Sequence, residues 1–384
     1  MPAGGASGPF EGLLVVDLTR VLAGPYCTML LADLGARVVK VERPGSGDDA
    51  RAFGPLQGGR SAYFDSLNRG KESIALDLKD PRGREIFEAL LARADVLVEN
   101  FRPGALDRLG YGWKALHAAH PRLICAATSG FGQTGPRAGR PAYDMVVQAM
   151  GGIMSLTGHP GSPPTRVGTS IGDIAAGLFT AVGIGGALHH RSQTGEGLYV
   201  DVSMLDSQVA ILENAIARHA ATGEVPGPLG SRHPSIAPFA AFATADGHVV
   251  IAAGNDQLFA ELCRLLGRDG LAKDERFTSN DKRIENANAL ANEIERALET
   301  APAADWLPRL EAAGIPCAPI QDVAQVVSDP QVQARNMVIR AGDAPMAGNP
   351  IKLSGYPDPP TRPSAPELDA DRARLLAELG LDPD

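Results

Sequence analysis

The chain has 384 residues, 44% hydrophobic and 21% charged, with a formal net charge of −9. That size suffices for a large core or two domains, and an acid excess without any Lys/Arg run argues against nucleic acid or an anionic membrane as partner. Four scattered cysteines (Cys27, Cys125, Cys263, Cys317) without a CxxC pair, an N-terminal "MPAGGASGPF" unlike a signal peptide, and no uninterrupted apolar stretch of spanning length lead to the expectation of a cytoplasmic protein.

In chain order, "LLVVDL" reads as a buried strand and "GPYCTMLLADLGA" as a helix ending at Gly35. "RVVKVE" is the next strand. "PRGREIFEALLARA" is a helix with Pro81 in its first turn, followed by the strand "DVLVEN". "RLICAATS" and "LYVDVSM" are further strands, separated by a long helix from about Ile174 to His190. Strands and helices alternating at this spacing imply βαβ units around a mostly parallel sheet, a Rossmann-like α/β fold.

At "ATGEVPGPLGSRHPSIAPF" the texture turns to Gly, Pro and small polar residues, marking a boundary or an active-site loop. "FAAFATADGHVVIAAGN" follows as two strands with a turn at Asp246–Gly247, then three helical patterns. The expected organisation is a large α/β domain over residues 1–224, a smaller α+β domain over 225–325, and a C-terminal return over 326–384. The return ends in the helix "LDADRARLLAELGL", which should dock on the rest of the chain.

Motifs for common cofactors are missing. "GIGGALHH" lies inside a helix rather than after a strand, so its glycines suit close packing better than a dinucleotide. His189 and His190 sit at a helix end, where charge complementarity accounts for them without a metal. Short polar signatures stand instead at predicted strand ends: "DLTRVLAGP", "VKVERPGSGDD", "NRGKES" and "VENFRPGALDRLG". Open α/β sheets bind ligands there. Arg43, Lys71, Asn100 and Arg108, with Phe101, are the candidates for cradling a long phosphorylated ligand. Asp173, alone in the apolar "TSIGDIAAGLF", reads either as a helix cap or as a nucleophile.

Together "DLTRVLAGP", "GARVVKVERPGSGD", "ADVLVENFRPGALDRLG", "GPRAGRPAYDMVVQA" and "GDIAAG" resemble the class III CoA-transferases, which share a fold with the α-methylacyl-CoA racemases. The resemblance runs densely from about Phe10 to Gln208 and thinly beyond. It implies a CoA thioester as co-substrate, no tightly bound cofactor and no metal, a small carboxylic acid as second substrate, and an interlocked homodimer. It makes Asp173 the nucleophile, Tyr143 an active-site tyrosine 30 positions earlier, and the strand-end candidates the holders of CoA. The racemases carry a His at the position of Tyr143. A phenol ordinarily gives up its proton at about pH 10, against about 6.5 for an imidazolium, so it is a poor base at neutral pH, which favours transfer over epimerisation.

Leu22 stands where formyl-CoA transferase has a Gln, and "GPLGSRHPSIAPF" replaces its glycine-rich loop. Both differences point away from oxalate or formate. The expected reaction moves CoA from an acyl-CoA, succinyl-CoA above all, to a short dicarboxylic acid through an aspartyl anhydride and an aspartyl-CoA thioester. Arg232 and His233 are candidate ligands for the distal carboxylate, in a loop expected to exclude water. Two local expectations accompany Asp173: Gly172 allows the thioester to approach, and the helix start keeps the carboxylate ionised. The alternatives are a racemase-type proton-transfer enzyme and a CoA-binding protein without turnover.

Overall fold

A computed structural model describes residues 8–382. The chain divides into two units, one comprising Met1–Met154, Arg166–Val225 and Pro330–Asp384, the other Ser155–Thr165 and Pro226–Asp329. The short Gly-, Pro- and Ser-rich piece Ser155–Thr165 belongs to the smaller unit, outside the continuous stretch expected for it.

In the larger unit the strands are β1 (Leu14–Asp17), β2 (Arg37–Glu42), β3 (Glu72–Ala75), β4 (Val96–Glu99), β5 (Ile124–Ser129) and β6 (Tyr199–Ser203). They form one sheet in the order β3-β2-β1-β4-β5-β6, and each neighbouring pair is parallel. The helices that position the site are α1 (Ala23–Asp33), α2 (Pro81–Leu91), α3 (Asp144–Met150) and α4 (Ile171–Thr194).

Side-chain alternation along the strands decides what covers each face. Val15, Val38, Val96 and Ile124 point to the face packed by α1 and α4 through Cys27 and Ile184. Val16, Val39, Leu97 and Cys125 point to the opposite face, packed by α2 through Phe87. The terminal helix Arg372–Leu379 inserts Leu375 and Leu376 into this second cluster, so the C-terminal return docks on the sheet. Asp80 caps α2 by accepting from the N–H groups of Arg82 and Gly83, with Pro81 at the first helical position.

Helix α4 is longer than expected at both ends, running 24 residues with a mean hydropathy of 1.6 over its most apolar window. One side packs closely on α1: a Cβ on Gly177 would fall 2.7 Å from the Ala23 carbonyl oxygen. The other side is uncovered, with Leu178, Phe179 and Val182 exposed and open space beside Gly185 and Gly186. Thus only part of the small-residue pattern serves packing within this chain.

In the smaller unit, Phe239–Ala243, His248–Ala252 and Cys317–Pro319 form an antiparallel sheet with His248–Ala252 in the middle. Helices Asp256–Leu265, Ala287–Leu298 and Ala303–Ala312 supply its core partners, among them Phe259, Ile294 and Trp306.

Candidate active site

In a sheet of this order the connections leave in opposite directions from β1 and β4, opening a crevice at the strands' carboxyl ends. The loops after those two strands are tied together there. Asn100 Oδ1 accepts the Arg20 backbone N–H at 2.9 Å, and Asn100 Nδ2 donates to the Arg20 carbonyl at 2.7 Å. The next residue, Val21, has φ +67°, a left-handed conformation costly for a β-branched side chain. Asp48 Oδ1 holds it by accepting the Val21 N–H at 3.0 Å. Lys40, fully buried, donates to the Thr19 carbonyl at 2.7 Å and pairs with Asp48 at 2.9 Å.

Two cavities open from this crevice. The larger, about 520 Å³, is lined by Arg43, Ser46, Asp77, Lys79 and Phe101 among others. The smaller, about 160 Å³, has Asp173, Tyr143, Arg140, Arg102, Ser129 and Asn100 on its wall. Arg20 and Phe101 belong to both walls. Glu99 Oε2 fixes the shared loop by accepting the Phe101 N–H at 2.7 Å. Burial pushes the Glu99 carboxyl up to about 7.

Asp173 lies in the first turn of α4, but it does not cap that helix. The capping bond comes from α3, where Asp144 Oδ1 accepts the Gly172 N–H at 2.8 Å. Asp144 also accepts from Gln148 Nε2 at 2.7 Å and faces Arg166 at 3.7 Å. Among the described residues no hydrogen bond or ion pair engages the Asp173 side chain. Burial, and then the Asp144 charge, push the Asp173 carboxyl up to about 7. This corrects the expectation that the helix start keeps it fully ionised, because a terminal dipole effect is small beside desolvation. Burial first and Asp173 second raise the nearby Tyr63 phenol to about 12.

Gly172 also has a different role from the one expected. A Cβ there would meet Val147 Cγ2 at 2.7 Å and Asp144 Oδ1 at 3.0 Å. Its missing side chain lets α3 approach α4, rather than admitting a thioester.

The other expected residues separate. Arg43 lines the larger cavity and pairs with Asp49 at 2.5 Å. Asp49 also holds Arg20 at 3.0 Å. Asn100 and Phe101 are on the walls, and Tyr143 is 74% exposed at the mouth of the smaller cavity. Arg108 is exposed on its short helix and lines neither cavity. Lys71 is a correction: its ammonium is buried among Asp17 (3.0 Å), Thr28 (2.7 Å), Asn68 (2.9 Å) and the Pro25 carbonyl (3.2 Å). An ammonium has three donors, so none is left for a ligand. Arg232 and His233 are engaged within the smaller unit, Arg232 donating to Asn288 at 2.8 Å and His233 stacking on Phe239 at 5.2 Å. Sequence reading passes over Arg20, Lys79, Arg102, Arg140 and Asp144, although "TRVLAGP", "FRPG" and "GRPAYD" contain four of them.

A larger cavity that shares Arg20 and Phe101 with a small one holding an unpartnered carboxylate suits attack on a thioester whose long carrier lies alongside. The model of CoA-transferase family III matches residues 10–372. The chain belongs to this family. It is 52% identical to the acetyl-CoA:oxalate CoA-transferase of Acetobacter aceti, over 97% of this chain and 96% of that protein. It is 44% identical to the succinyl-CoA:mesaconate CoA-transferase of Haloarcula hispanica, over 97% of each. A succinate–glutarate CoA-transferase of Agrobacterium fabrum is 39% identical over 97% of this chain and 96% of its own length. Among solved structures, a CAIB/BAIF family protein from Brucella suis superposes with a TM-score of 0.87 at 41% identity, covering 97% of this chain and all of that one. The protein is thus a CoA-transferase with a Rossmann-like α/β sheet.

Proposed function

We propose that this CoA-transferase carries CoA from an acyl-CoA, with succinyl-CoA as donor, to a short dicarboxylic acid, using Asp173 as nucleophile. The observation that carries the reading is the unpartnered Asp173 carboxylate in the smaller cavity, beside a larger one walled by Arg43 and Lys79. Relatives that act on oxalate, mesaconate and glutarate support the acid class. The oxalate enzyme is 52% identical, which weighs against the pointer away from oxalate drawn from Leu22 and the "GPLGSRHPSIAPF" loop.

In this mechanism the Asp173 carboxylate attacks the thioester carbonyl, and the carbon–sulfur bond breaks to give a mixed anhydride and CoA thiolate. The thiolate then attacks the Asp173 carbonyl, releasing the donor acid and leaving an aspartyl-CoA thioester. The acceptor carboxylate attacks that thioester in turn, and returning thiolate takes the acceptor acyl group and frees Asp173. No net proton transfer is required, so a Tyr at position 143 is compatible with the chemistry.

The uncovered face of α4, together with exposed Met145 and Met150 on α3, supports a homodimer in which a second copy covers these side chains. Light scattering that gave a monomer mass at micromolar concentration would end that part of the reading.

The deciding assay incubates the protein with succinyl-CoA or acetyl-CoA and a pool of oxalate, mesaconate, glutarate and monocarboxylates. New thioester masses from the wild type, and none from Asp173→Ala, are expected. Transfer by the alanine variant at the wild-type rate would remove Asp173 from the mechanism.

A further inference from the structure

The smaller cavity contains more positive charge than a reacting carboxylate needs, and its three arginines are held differently. Arg20 is paired with Asp49 at 3.0 Å, and its backbone is pinned on both sides by Asn100. Arg102 follows Phe101, which lines both cavities, and its side chain is shared between the smaller cavity and a separate small pocket that Glu99 and Trp113 also line. Arg140 is on the opposite segment, three residues before Tyr143. Among the described residues no acid pairs with Arg140; its guanidinium lies 5.7 Å from the Phe131 ring centroid. A guanidinium placed over a ring keeps its N–H edge available for a carboxylate.

A dicarboxylic acid reacting at Asp173 keeps its second carboxylate ionised. That charge enters a cavity beside Asp173, with Asp144 next to it on α3. An unpaired carboxylate is disfavoured there, and a cation on the wall offsets the cost.

We propose that Arg140 binds the non-reacting carboxylate of the acid and thereby makes the enzyme select dicarboxylic over monocarboxylic acids. The inference rests on the reading that the acid reacts in the Asp173 cavity. Arg140 takes the role expected of Arg232 and His233, whose side chains are engaged within the smaller unit.

The test is direct binding of glutarate and of butyrate by calorimetry, with CoA saturating, to wild type, Arg140→Ala, Arg140→Lys and Arg232→Ala. Wild type is expected to prefer glutarate by about tenfold or more, the size of one charge-assisted pair. Arg140→Ala should erase that preference, Arg140→Lys keep part of it, and Arg232→Ala leave it. Transfer kinetics run beside it should show the acyl-CoA KM of Arg140→Ala within about twofold of wild type. A glutarate preference that survives Arg140→Ala, or one lacking in wild type, overturns the proposal. So does a parallel rise in acyl-CoA KM, which would place Arg140 on the CoA. If the preference depends on Arg140 but no acid accepts CoA, the proposed transfer reading fails and the role of Arg140 stands.

Discussion

Asp144 Oδ1 accepts the backbone N–H of Gly172 at 2.8 Å, one residue before the carboxylate that its own charge opposes. One side chain therefore performs two tasks. It ends α4 in place of a local cap, and it releases Asp173 from that duty while making its ionised form harder to reach.

The two tasks separate by substitution. Asp144→Asn keeps an oxygen for the Gly172 N–H but removes the charge, so the Asp173 pKa falls. Because the ionised form attacks, the acid limb of the kcat/KM profile should move to lower pH. Burial, the larger cause, remains, so the shift is partial. An unmoved limb would show that Asp144 does not tune Asp173. Asp144→Ala should in addition cost about 0.5–2 kcal/mol of stability through the lost cap.

Asp173→Asn should lower transfer by about 10³-fold or more, as loss of a covalent nucleophile does. Stability should move the other way. The Asp173 carboxyl is raised to about 7 in the folded chain, from 3.8 when free. The folded state therefore binds the extra proton, and the stabilising contribution is present below about pH 4 and lost as pH rises through about 7. The variant should lack this slope and melt at or above the wild-type temperature at pH 8. A clear drop in its Tm at pH 8 would assign Asp173 a structural partner.

Lys71→Met should leave Asp17 buried with one cation fewer and cost about 3–5 kcal/mol, read as a fall in the denaturation midpoint. At a temperature where the variant is folded, the acyl-CoA KM should be unchanged. A raised KM with intact stability would return Lys71 to the ligand.

Gly177→Val places bulk 2.7 Å or closer to the Ala23 carbonyl and should cost about 1–3 kcal/mol through overpacking of α1 on α4. Gly185→Ala meets nothing within 4 Å in the single chain. A stability loss there, together with a shift to monomer, would show that a second copy reaches this face.

What can be read in advance follows from the range of the signal. Strands such as "LLVVDL" and "DVLVEN" are runs of β-branched and apolar residues, and the sheet forms from them as expected. Asp173 stands out by motif context, since its local sequence fits a cap equally well. Lys71 misleads because "NRGKES" gives a residue type and not a direction; just before β3 the chain turns that lysine inward to Asp17. Asp144 escapes notice because its bond to Gly172 spans 28 positions, beyond any capping pattern a local window holds. Arg140 is easily overlooked because "GRPAYD" draws attention to its tyrosine.

The crevice exists because β1 and β4 are neighbours whose connections depart to opposite sides, an outcome of strand order alone. Its walls are separate loop ends, and the sheet beneath them is indifferent to their chemistry. Side chains such as those at 140 and 143 can therefore be exchanged without touching the sheet or the tie between Arg20 and Asn100 that holds the two loops together.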